Sequence, residues 1–106
     1  IAGMGIVSAI GKGLLANLQS LSHEKTGIGE MKWLQSIHRG ELPVGEVKSS
    51  NEELAAACGL PPNLPRTALL GSLAAYEALL DGGWEKSFSP RTGFISANTV
   101  GGMDKT

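Results

Sequence analysis

One hundred and six residues with a net charge of −1, two histidines and one cysteine set the first limits. The length allows one domain or part of one, and the charge gives no electrostatic footing for nucleic acid or an anionic membrane surface. A single cysteine excludes an internal disulfide, which fits the cytosol, and two histidines beside it argue against a zinc site.

Apolar residues make up 42% of the chain and charged ones 18%, below the roughly 25% usual for soluble domains. Water-facing surface per residue is therefore low, as in part of a larger body. No apolar run approaches the roughly 20 residues that span a bilayer, and no basic-then-apolar leader opens the chain. The chain is expected to be cytoplasmic, with both ends cut.

Residues 1–4 read as the end of a buried strand and residues 5–13 as a glycine-punctuated turn. Leu14, Leu15, Leu18 and Leu21 then recur at helical spacing, with Asn17, Gln19 and Ser20 opposite. That spacing predicts a half-buried helix over 14–22, leucines inward. Gly27, Ile28 and Gly29 mark a tight turn with one apolar anchor, and residues 31–37 fit either a short helix or irregular chain. Val44 and Val47 alternate with glycine and charges in a short strand over 42–48, near an edge because Pro43 has no N–H to donate. Ser50 followed by Glu53 is a capping-box pattern and starts a helix that ends at Cys58 and Gly59.

Residues 66–80 (RTALLGSLAAYEALL) are apolar nearly all round a 3.6-residue helix, with only Arg66, Thr67, Ser72 and Glu77 clearly polar. A helix of that kind is enclosed by protein on several sides. Asn63 is its expected cap, Pro65 fits its first turn, and Asp81, Gly82 and Gly83 end it. Gly71, Ala74, Ala75 and Ala78 let neighbouring backbones come close. Residues 84–90 read as a surface loop, and residues 91–97 (RTGFISA) as a strand of a sheet interior. A second glycine turn follows over 98–103. The order is α/β with crossovers.

Few residues offer chemistry. Gly3, Met4, Gly5, Ile6, Val7 and Ser8 approximate the G-x-G-x-x-G turn that brings a backbone up to a pyrophosphate. The third glycine is replaced by serine, the helix starts late, and no strand ending in an acid follows, so a strand-to-helix turn is the simpler reading. Cys58 sits at a helix C-terminus, where carbonyl dipoles oppose a thiolate. His23 and His38 lie in polar stretches without a triad partner, Asp81 belongs to a helix-ending turn, and Trp33 and Trp84 serve packing. No catalytic constellation, metal site or cofactor site can be assembled.

Four stretches in order resemble the N-terminal part of the β-ketoacyl-acyl carrier protein synthases, condensing enzymes of the thiolase superfamily. IAGMGIVSAIGKG looks like the family's first strand and loop, and LLANLQSLSHEKTGIG like its first helix and glycine turn. PRTALLGSLAAYEALLDGG is similar to its long buried helix, and RTGFISANTVGGM to the next strand and Gly-Gly turn. Ala2 stands where threonine is common, and Asn98 with Thr99 replaces a small or glycine-rich pair.

The resemblance implies the N-terminal portion of a thiolase-like αβαβα fold, usually a homodimer, of which this chain would hold about a quarter. It implies decarboxylative Claisen condensation in fatty acid or polyketide synthesis, with acyl carrier protein as partner and no cofactor. The family's nucleophilic cysteine and two histidines would all fall past Thr106, so this chain carries no catalytic residue. Val100 would sit at the mouth of the acyl pocket, flanked by Thr99 and Met103. The alternatives are a non-catalytic chain-length partner of the same fold and, from another class, a nucleotide-binding α/β module.

Overall fold

The computed structural model describes residues 1–84 and 91–102. In chain order the elements are β1 (Val7–Ser8), β2 (Gly11–Lys12), α1 (Leu14–Ser22), β3 (Ile28–Gly29), β4 (Val44–Gly45), α2 (Asn51–Cys58) and α3 (Arg66–Asp81). The described residues thus form a mixed α/β structure of three helices and two small sheets. Each sheet is one antiparallel pair: Val7 stands opposite Lys12, and Ile28 opposite Gly45. The crossovers expected from the element order do not occur among the described residues. Residues 1–6 and 92–98 are irregular, and residues 91–97 are exposed rather than interior. A strand needs a neighbouring strand for its N–H and C=O groups, and neither segment pairs with one among the described residues.

The local signals for α2 and for the C-terminal end of α3 hold well. Ser50 Oγ accepts from the Glu53 amide at 3.1 Å, and the Glu53 carboxylate accepts from the Ser50 amide at 3.0 Å. Gly59 closes α2 in the left-handed region, and the Leu60 amide turns back to the Ala55 carbonyl. Helix α3 stops at Asp81, followed by Gly82. Its N-cap is Pro65, however, with no side-chain cap, so Asn63 does not play the expected part.

Helix α1 forms where expected but presents the opposite face. Its buried residues are Asn17 and Ser20, while Leu15, Leu18 and Leu21 are exposed. The cause lies in the β1–β2 hairpin, whose glycine-rich backbone leaves carbonyls for a side chain to satisfy. Asn17 Nδ2 donates to the carbonyls of Gly11 and Gly13 at 2.9 and 2.8 Å, Ser8 Oγ donates to Asn17 Oδ1, and Ser20 Oγ donates to the Ile10 carbonyl at 2.7 Å. A buried polar network of this kind is stable only when every member is paired, and this one is.

The core is small. Leu54 and Ala55 of α2 pack on Leu69 of α3, with Leu60, Leu64, Leu70 and Leu73 around them. Met31 is buried separately and takes the anchoring part expected of Ile28, which is exposed. Short α2 covers only the first half of one side of α3. Along a second side run Gly3 and Gly5, so close that an added Cβ would lie 2.2 Å from the Ala78 carbonyl oxygen and 1.9 Å from that of Ala74. The third side borders Phe94 and its neighbours. Tyr76 and Leu80 remain 50% and 57% exposed, so the enclosure expected of this helix is incomplete among the described residues.

Candidate functional site

The turn singled out by the resemblance docks on the start of α3. The Gly102 amide points to Thr67 Oγ1 at 3.5 Å, and a Cβ on Gly101 would stand 2.9 Å from Asn98 Oδ1 and 3.4 Å from Thr67 Cγ2. Gly101 therefore lets the turn fold onto Asn98 and the helix together. Beside the turn a groove of about 770 Å³ runs between α3 and residues 94–98. Thr67, Ser72, Ser96 and Asn98 give it hydrogen-bonding points, and Leu70 and Phe94 give it apolar wall.

Thr99 and Val100 are exposed and do not line that groove, whereas Asn98, Gly101 and Gly102 do. Met103 lies outside the described residues. Among the described residues no titratable side chain lines the groove. It can hold an apolar chain with a polar end, and its described lining offers hydroxyls but no ionisable acid or base to activate them.

The other candidates stand apart. Cys58 Sγ faces the Leu69 carbonyl at 4.0 Å, and burial pushes its thiol pKa up, so it is protonated at neutral pH and a poor nucleophile. His23 is exposed with Nδ1 2.7 Å from the Gln19 carbonyl, and exposed His38 lies 3.4 Å from Glu41. Trp33 and Trp84 are each about two-fifths exposed, so packing occupies only part of each ring. No group of three metal-ligating side chains occurs among the described residues. The G-x-G glycines at 3 and 5 are used for contact with the α3 backbone, which accounts for them without a nucleotide.

Three carboxylates matter more than composition suggests. Glu77 accepts from the Ile6 amide at 2.8 Å and from the Leu14 amide at 2.7 Å, and Asp81 accepts from the Met4 amide at 2.9 Å. Asp81 thus tethers the N-terminal segment as well as ending the helix. The available signal was two acids four residues apart on an otherwise apolar helix. Glu46 accepts from the amides of Lys32, Trp33 and Leu34 at 2.8, 2.9 and 2.6 Å, and nothing in its local sequence announces it.

No family model, curated protein or solved structure matches this chain. Its class rests on its own geometry: a small mixed α/β chain with two antiparallel hairpins and one long, partly uncovered helix. None of the described helices is long and apolar enough to cross a membrane.

Proposed function

We propose that this chain is part of a β-ketoacyl-acyl carrier protein synthase that performs decarboxylative Claisen condensation. The four resembling stretches support the family, and one structural observation carries the reading: α3 is apolar round its circumference yet uncovered at Tyr76 and Leu80. Such a surface calls for further protein around it. In a thiolase-like body that cover would come from sheets on either side of the helix. The irregular segments 1–6 and 92–98, both lying against α3, would then be strands that have gained their neighbours.

On this reading the growing acyl group passes from carrier protein to a cysteine beyond Thr106. A malonyl group on carrier protein then loses CO₂, and the resulting carbanion attacks the thioester carbonyl, forming a C–C bond as the C–S bond breaks and the cysteine leaves as thiolate. A thiolate at a helix N-terminus and backbone N–H donors facing the oxyanion make that chemistry accessible. The acyl site on this reading is the groove beside Asn98, Gly101 and Gly102, which Thr99 and Val100 do not line; its apolar walls suit an alkyl chain and its hydroxyls a polar end.

Mass spectrometry of the intact protein after incubation with acyl-carrier protein tests the proposal. The expected result is one acyl adduct on a cysteine other than Cys58. A protein that takes no acyl group would reject the catalytic reading.

A further inference from the structure

Strands β3 and β4 are the base of a hairpin whose loop, residues 30–43, has no helix or strand of its own. A connection of this length closes at a real entropic cost and needs something to hold it. Most of its hydrogen bonds to described residues are internal. Arg39 and Glu41 donate through their amides to the carbonyls of Ser36 and His38, and the Arg39 guanidinium donates to those of Lys32 and Leu34. Buried Met31 anchors one end. Beyond it, the side chain from outside that grips the loop, among the described residues, is Glu46, just past β4, on the amides of Lys32, Trp33 and Leu34.

Three successive amides converging on one carboxylate form an anion-binding concavity, filled here by the chain's own acid. The residues it holds make one wall of a groove of about 880 Å³, whose other walls include β4, the start of α2, and Arg66 and Leu70 of α3. We propose that residues 32–42, beyond the Met31 anchor, form a strap that opens as a unit over this groove, and that Glu46 is its latch. Opening removes the Lys32–Trp33–Leu34 wall and leaves α1, α2 and α3 in place. The inference is independent of the enzyme assignment.

The charged groups facing the latch are Arg66 from α3, Glu52 from α2, and Lys32 within the strap, with Arg39 one carbonyl removed. Partial burial raises the Glu46 pKa, but the three amide donors and the Arg66 charge outweigh it, and the net pKa lies below the ordinary glutamate value. A depressed carboxylate pKa means that the latch is fully engaged above the unfolded-state value and is lost as pH falls through the folded one.

Hydrogen exchange of the intact protein, resolved to residues 32–42, α1 and α2, provides the test. In Glu46→Ala at neutral pH, exchange at Lys32, Trp33 and Leu34 should quicken roughly ten- to hundredfold, the loss of charge-assisted bonds, with α1 and α2 unchanged. Glu46→Gln, which keeps the shape and loses the charge, should show a smaller acceleration at neutral pH, and its protection, corrected for intrinsic exchange, should stay level into the acid range where that of the wild type falls. Wild-type exchange at these three amides would overturn the proposal. So would acceleration spread equally over the helices, because Glu46 would then support the whole fold rather than a latch.

Discussion

Glu77 joins two amides from different parts of the chain, Ile6 before the first hairpin and Leu14 at the first turn of α1. The Leu14 amide is among the donors that a helix cannot satisfy within itself, and Gly13 before it has no side chain to cap with. Glu77 therefore works as a cap delivered from another helix, with its negative charge at the positive end of the α1 dipole. Glu77→Ala should cost about 1–3 kcal/mol, the usual penalty for stranding partly buried donors. Amide exchange at Leu14 should rise before that of α2. If Leu14 stayed as protected as in the wild type, the cap would not exist. This role was illegible in the sequence because capping rules look a few residues along the chain, and Glu77 acts on a turn far from it.

At the scale of elements, legibility followed how local the cause was. Helix α2 was readable because Ser50, Glu53 and Gly59 determine its ends among themselves. Helix α1 was readable in extent but not in orientation. Leucine spacing shows which residues share a face, and the hairpin carbonyls of Ile10, Gly11 and Gly13 decided which face turns inward. Residues 91–97 carry a strand's composition, but pairing is a property of the neighbour and no local pattern contains it. The candidate site was legible only in part: the chain bends at Thr99 and Val100 within the expected glycine turn, whereas the groove beside it depends on α3. In the 106-residue chain, Asn17→Ala should therefore accelerate amide exchange across β1, β2 and α1, because the Gly11 and Gly13 carbonyls lose the side-chain amide and the Ser8 hydroxyl loses its acceptor. Leu18→Ala should leave that exchange within about twofold, as exposed substitutions usually change stability by under roughly 0.5 kcal/mol. The reverse order would mean that the leucine face is the buried one.

For the molecule as a whole, the decisive quantity is surface. A folded monomer of 11.0 kDa is expected to expose about 5,600 Å², and this chain exposes 7977 Å². The radius of gyration, 15.2 Å, likewise exceeds the roughly 13 Å of a compact domain this long. The surplus includes the leucine face of α1 and the Tyr76 and Leu80 side of α3, two apolar surfaces on separate helices. The buried cluster of Leu54, Ala55 and Leu69 is too small to offset the conformational entropy of so many ordered residues. The surface thus supports the same conclusion as the sequence likeness: these helices are built to be covered.

Sedimentation of the 106-residue chain at low concentration, paired with a thermal melt of the same sample, tests that claim most directly. The account predicts self-association or a broad, weakly cooperative transition. A monomer with a sharp cooperative melt would contradict it, because α3 would then be at home on an open surface.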